Sequence, residues 1–266
     1  GFMYGRPKIA DNARFDAGGM RFSVKTPMRE HEVRYQGNVC LMARPLDLMD
    51  PRAAFTSNPH VPASVELAHT ALSPASGGEP REERDGAWVS AKVEKAGQEF
   101  ARGHLEQHMH VTGRVVVDGT QWTIDGYGLR DRSWGPRYWQ APDHYRWLTM
   151  NFGRGEGIAA ARTVQRDGRV VEGGYIYKDG EPNRYVGRVE VETTCSEPEK
   201  LHTALRVRVH PVDGGAAEEI TGRVLNMVPL RNRRADVVTR IAEGLTEWTW
   251  GDRTGYGWSE YLDHVG

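Results

Sequence analysis

Apolar and polar side chains alternate with period two along most of this chain. Residues 20–25 (Met-Arg-Phe-Ser-Val-Lys) and 31–35 (His-Glu-Val-Arg-Tyr) each read as a strand with one apolar face, and 39–42 is a short apolar run. Residues 44–63 break the rhythm with Pro45, Pro51, Pro59 and Pro62, and leave room for at most a helical turn over 46–49. Residues 73–86 (Ser-Pro-Ala-Ser-Gly-Gly-Glu-Pro-Arg-Glu-Glu-Arg-Asp-Gly) carry no apolar anchor beyond Ala75 and read as a mobile loop.

From His104 onward the pattern is a series of hairpins. Residues 104–117 lead to Asp118–Gly119, a turn of the primed type. Residues 121–124 return, and Asp125–Gly126 closes that pair. Further strands are expected over 145–152, 158–165, 170–178, 185–194, 201–210, 218–227 and 245–252. The turns between them include 153–157, 166–169 and 178–181. Turns about every ten residues are the mark of an antiparallel sandwich or barrel. The basic tract 230–243 stands apart as a solvated loop or short helix. Tyr256, Trp258 and Glu260 alternate, as in a last strand closing a sheet.

Composition sharpens this picture. The chain has 266 residues with 31 Gly and 14 Pro, and its mean hydropathy is −0.63. That suits a thin, turn-rich β architecture better than a doubly wound α/β fold. The formal net charge of −1 gives no electrostatic reason to expect nucleic acid or an acidic membrane as partner. Cys40 and Cys195 have no metal-ligand spacing, and two distant thiols make a reducing cytoplasm the default location. No apolar run reaches transmembrane length, so no integral membrane segment is expected. The opening Gly1-Phe2-Met3-Tyr4-Gly5 reads as part of a strand, as though the chain began inside a domain that lacks upstream strands.

Candidate chemistry gathers in two places. Residues 126–139 hold three arginines, one aspartate, two tryptophans and two tyrosines among three glycines and a proline. In one reading Tyr127, Arg130, Arg132, Trp134, Arg137 and Trp139 line a pocket with Asp131 as acid, base or orienting group. In the other, Asp131 clamps strands through arginine forks and Trp134 plugs a barrel end. The second place is the row His104, Glu106, His108 and His110, which period two puts on one face. It reads as a solvated or internally satisfied polar face, an acid–base pair, or a cupin-like metal site. Glu260 either faces a pocket or pairs with an arginine. No phosphate loop, nucleophile elbow or paired-cysteine zinc signature is present.

The run Gly126-Tyr127-Gly128-Leu129-Arg130-Asp131-Arg132-Ser133-Trp134-Gly135-Pro136-Arg137 resembles the Gly-x-Arg-Asp-His-Ser-Trp-Gly-x-Arg motif of the carotenoid hydratase (hydroxyneurosporene synthase) and AttH-like family. Upstream, Leu105-Glu106-Gln107 and Val111-Thr112-Gly113 look like the strand before that motif. Gly255-Tyr256-Gly257-Trp258-Ser259-Glu260-Tyr261 is similar to the family's closing Gly-Tyr-Gly-x-x-Glu-Tyr. The resemblance implies an all-β fold of two antiparallel lipocalin-like (calycin) barrels or sandwiches side by side, with an apolar ligand in or between them. An N-terminal barrel would span 1–113 and a C-terminal lipocalin-like barrel 114–266. It also implies work on isoprenoid or polyketide molecules, as family members with known roles do, mostly without a metal or organic cofactor. Arg132 stands where the motif has histidine, and arginine is a poor proton donor.

The resulting expectation is a cofactor-independent hydratase, lyase or isomerase for an apolar isoprenoid, steroid or aromatic-derived small molecule. Asp131, Glu106 and His108 are its candidate catalytic groups. Tyr127, Arg130, Arg132, Trp134, Arg137, Trp139, His110 and Glu260 are its candidate contacts to substrate. Hydration of an alkene needs a strong, positioned acid and aromatic faces to steady a carbocation. The rival expectation is a carrier that binds a hydrophobic ligand without changing it.

Overall fold

The computed structural model describes residues 14–79, 81–84, 87–90, 100–234 and 236–265. The first strands are β1 (Arg14–Ala17), β2 (Met20–Thr26) and β3 (Glu30–Cys40). After a 3-10 turn at Pro45–Met49 comes α1 (Pro51–Ser57), then β4 (His60–Ala71). Short strands β5 (Ser76–Gly78), β6 (Arg81–Arg84) and β7 (Ala87–Ser90) precede two long ones, β8 (Gly103–Val117) and β9 (Thr120–Trp134). Eight more strands follow: β10 (Pro142–Asn151), β11 (Glu156–Gln165), β12 (Val170–Lys178), β13 (Arg184–Cys195), β14 (His202–Pro211), β15 (Glu218–Arg234), β16 (Val237–Trp250) and β17 (Arg253–Val265). The fold is all-β, as the alternation and turn spacing indicate. Among the described residues no helix is long and apolar enough to cross a membrane.

The chain divides into two compact units. One comprises the described residues up to Leu72 with His108–Gly128, and the other Ser73–Gln107 with Leu129–Gly266. The expected domain limit at 113/114 falls within β8.

In the first unit, β1 to β4 pair in sequence as antiparallel neighbours, and β4 then pairs with Met109–Val117 of β8. Asp118 and Gly119, with φ of 49° and 77°, make the expected primed turn into β9. Two expectations fail here. The proline-broken tract holds a true helix, α1, because Asp50 caps it and Pro51 occupies its first position. The Ala53 N–H donates to Asp50 Oδ1 at 3.2 Å. Asp125–Gly126 closes nothing, because β9 runs unbroken through it to Trp134.

In the second unit, β10 to β17 form a closed antiparallel barrel in simple up-and-down order, sealed where β17 pairs with β10. Its interior is filled by Leu148, Met150, Ile158, Ile176, Val207 and Trp248, among others, all buried. Each such side chain contributes roughly 1.5–3 kcal/mol of burial free energy. The strands at 145–152, 158–165, 170–178, 185–194, 201–210 and 255–261 stand as expected, within a few residues at each end. The tract 230–243 is not a loop. It is the end of the β15/β16 hairpin, with Leu230 opposite Ile241 and Arg231 opposite Arg240. Its alternation is masked because buried positions there carry Thr239 and Arg240, the latter donating to the Glu199 carbonyl at 2.7 Å.

The supposed loop 73–86 contributes strands β5 and β6, and Ser73 is buried with its carbonyl accepting from Gln107 Nε2 at 2.9 Å. Pro80, Asp85 and Gly86 lie outside the described residues, as does the opening Gly1-Phe2-Met3-Tyr4-Gly5.

Candidate functional site

On each barrel strand, one parity faces the filled interior and the other faces out. Leu148 and Met150 of β10 point inward, so Tyr145 and Trp147 stand on the outer surface. Register then lays out two rows across four strands. Glu243 of β16 is opposite Glu260 of β17, Glu260 is opposite Trp147, and Trp147 is opposite Ala161 of β11. The next row is Ile241, Leu262, Tyr145 and Thr163. Tyr145, Ile241 and Leu262 form a second buried cluster, with Phe100, Trp139, Trp147 and Leu230 packed against it.

Over this platform lie the start of β8 and the segment following β9. Together they enclose a cavity of about 190 Å³ whose walls include His104, Glu106, Asp131, Arg137, Trp147 and Glu260. Trp147 donates its indole N–H to Glu106 Oε1 at 2.5 Å. His104 Nε2 is hydrogen-bonded to Asp131 and lies 3.7 Å from Glu106 Oε1. The Tyr145 hydroxyl donates to Glu260. The Arg137 guanidinium sits 4.0 Å from the Phe100 ring centre and 4.7 Å from that of Trp139, and it donates to the Phe100 carbonyl at 3.4 Å.

Burial and crowding of carboxyls set the protonation states. Glu106 is pushed above its ordinary value by desolvation and by the charge of Asp131, against the indole hydrogen bond and His104. Desolvation works against the His104 imidazolium, but the Asp131 hydrogen bond and the charges of Asp131 and Glu106 outweigh it and raise its pKa. Glu243 is raised to about 8 by desolvation and by Glu260, and Glu260 is itself raised chiefly by desolvation. These two carboxyls are direct cross-strand neighbours and act on each other's titration, so their protons belong to the pair. Burial, then Glu260, lifts the Tyr145 phenol well above its ordinary value. The cavity therefore sets a raised imidazole and raised carboxyls against aromatic walls.

The residues singled out from sequence divide between the two units. Glu106, Asp131, Arg137 and Glu260 line the cavity, and Trp139 backs it through an edge-on contact with Phe100, ring centres 5.5 Å apart. His108, His110 and Tyr127 belong to the first unit, where His110 Nε2 meets Asp125 Oδ1 at 2.7 Å and its ring lies 5.5 Å from that of Tyr127. Asp131 pairs with His104. Arg130 and Arg132, as immediate strand neighbours of Asp131, face the other side of β9. Arg130 donates to Gln107 Oε1 at 3.4 Å, and desolvation and Arg132 lower its pKa. Trp134 does not line the cavity. Its indole donates to Glu79 at 2.9 Å and its ring lies against Gly103, where an added Cβ would come within 2.3 Å. Among the described residues no group of three or more His, Cys, Asp or Glu is disposed to hold a metal ion.

Sequence reading passed over Tyr145, Trp147, Phe100 and Glu243. Tyr145 and Trp147 show the right parity on one strand. Glu243 sits in the tract taken for a loop, so its partnership with Glu260 was hidden with the strand. It also passed over a buried polar cluster inside the barrel. There His202 Nε2 lies 2.8 Å from Ser259 Oγ, Ser259 Oγ lies 2.6 Å from Thr246 Oγ1, and the His202 ring stacks on Tyr261. Desolvation lowers the His202 pKa to about 4, so the ring is neutral. A larger cavity of about 680 Å³ occurs in the first unit, walled by Met20, Val33, Val39, Phe55 and Val65. Cys40, His60 and Tyr35 are its titratable groups, and among the described residues it offers no carboxyl acid or base.

A family model described as a domain of unknown function (DUF7064) matches residues 1–265, and the chain belongs to that family. No curated protein matches the chain.

Proposed function

We propose that the cavity on the outer face of the barrel is an acid–base site for a small apolar molecule. The protein would then be a cofactor-independent hydratase, lyase or isomerase acting on an isoprenoid, steroid or aromatic-derived compound. The observation that carries this reading is the placement of Glu106 between an indole donor and the His104–Asp131 pair, in a pocket walled by Trp147, Tyr145 and Phe100. A carboxyl with a raised pKa still holds its proton near neutral pH and so has one to deliver to an alkene, and aromatic faces steady the resulting cation. The neighbouring imidazole–carboxylate pair accepts the proton that an adding water, or a neighbouring C–H, releases. The resemblance of residues 126–137 and 255–261 to the carotenoid hydratase and AttH-like family supports the same chemistry. The cavity is below the roughly 300–1,000 Å³ of ordinary ligand sites. It fits a small molecule, or the reacting end of a longer one.

Asp131→Asn and Glu106→Gln test this reading. The His104–Asp131 pair is about two-fifths exposed, so its net contribution to stability is under about 1 kcal/mol. Asp131→Asn is therefore expected to abolish turnover while leaving Tm nearly unchanged. A large fall in Tm would make Asp131 a structural clamp. A carrier of hydrophobic ligand is the second reading, favoured by Arg132 at the position where the resembled motif has histidine. Native mass spectrometry of gently purified protein separates the two: a carrier retains an unaltered apolar ligand at one-to-one stoichiometry.

A further inference from the structure

Glu243 and Glu260 are cross-strand partners on the outer face of the barrel, and only Glu260 reaches the cavity. Directly opposite side chains on one face of an antiparallel pair have Cβ atoms about 4.5–5.5 Å apart, and two like charges held that close in a covered site disfavour double ionisation, so one of the two carboxyls keeps a proton. A second observation agrees. Glu243 Oε2 is buried and has no hydrogen-bond partner among the described groups. The groups facing the pair are the Tyr145 hydroxyl, which donates to Glu260, the Trp258 indole beside Glu243, and the charges of Arg137 and Asp131. Arg137 is the one cation in that set, and its guanidinium is already committed to the Phe100 and Trp139 rings. Besides the titratable imidazole of His104 across the cavity, Arg137 is thus the one cation among the described residues set against the two carboxyls.

We propose that Glu243 is a positioning residue that shares one proton with Glu260, so that Glu260 presents a protonated carboxyl to the cavity. The inference rests on the acid–base reading only for its consequence, which is that Glu260 joins Glu106 as a proton donor on the cavity wall. In that step the Glu260 O–H bond breaks and a C–H bond forms on the alkene of the bound molecule. Water adds to the cation, and its proton passes to the His104–Asp131 pair. The His104–Asp131 pair then releases that proton to solvent and Glu260 takes one up from solvent, which restores the starting state, so the net change is addition of one water. Tyr145, donating to Glu260, holds the carboxylate left behind.

The test needs no substrate. Protein labelled with carbon-13 at glutamate side-chain carboxyls is titrated by NMR from pH 4 to 9. The expected result is one carboxyl transition near pH 8 in the wild type, absent in Glu243→Gln, moved to lower pH in Glu260→Gln and unchanged in Glu66→Gln, a change in the first unit. A change in both variants identifies the transition as a property of the pair. The proposal is overturned if every glutamate in the wild type titrates below about pH 6, or if either substitution in the pair leaves the high transition where it was. A pair that titrates as expected in a protein without turnover would sink the enzymatic reading and leave the shared proton standing.

Discussion

Trp147 and Glu106 join through one short hydrogen bond, indole N–H to carboxyl, that ties the outer row of the barrel to the first residues of β8. Trp147→Phe keeps most of the ring and deletes the donor. The bond opposes the rise in the Glu106 pKa, so its loss is expected to raise that pKa further. The variant should lose about 1–2 kcal/mol of stability, measured by urea unfolding at neutral pH. An unchanged Glu106 titration would show that the indole does not set its protonation state.

Gly103 has the Trp134 ring against its backbone, with no room for even a methyl group. Gly103→Ala is expected to destabilise the second unit by about 1–3 kcal/mol. Trp134→Ala makes the same space from the other side. The double variant should therefore be less destabilised than the sum of the singles, a coupling read from a double-mutant cycle. Strict additivity would mean that the two residues do not meet.

His202 is buried and neutral inside the barrel, with its pKa lowered to about 4 by burial. Its unfolded-state value is near 6.5, so the unfolded chain takes up a proton that the folded chain refuses. Stability associated with this group is present above pH 6.5 and lost as pH falls towards about 4. The loss is on the order of 3 kcal/mol. His202→Phe should flatten the acid limb of the stability curve across that window. Proton NMR should find the His202 ring neutral at pH 5, and a charged ring there would refute the assignment.

The carboxyl pair gives the opposite slope. Glu243 titrates higher in the folded state than in the unfolded chain, so its favourable contribution is complete below the ordinary glutamate range. That contribution is lost as pH rises through about 8. Glu243→Gln removes the titrating group. Its Tm relative to wild type should therefore climb between pH 5 and pH 8.5, and thermal melts at the two values read the difference directly. A constant gap would show that the pair carries no perturbed proton.

Much of the barrel could be read from the chain because its strands obey a simple rule: interior positions are apolar and turns carry glycine with aspartate or asparagine. Residues 170–178, with turns at Gly168 and Gly180, are such a case. The rule failed where inward or covered positions are polar, as at Thr239 and Arg240, and where a proline starts a helix instead of breaking one, as at Pro51. For the site, the sequence brought Asp131, Arg137, Glu106 and Glu260 to notice through their composition and neighbours. It could not say that Asp131 meets His104 rather than its flanking arginines, because that depends on pairing between distant strands. Alternation along β9 does show, in hindsight, that Asp131 and its neighbours face opposite ways. Glu243 was illegible because its role exists only through a register with Glu260 across a hairpin read as a loop.

The most direct measurement is incubation of the purified protein with a pool of apolar small molecules, followed by mass spectrometry of the whole mixture, with Asp131→Asn alongside. The expected result is that the wild type converts one component into an isomer, or into a product differing by the mass of one water, and that the variant does not. The contrary result is a wild-type protein that leaves every component unchanged and gives back a bound molecule unaltered.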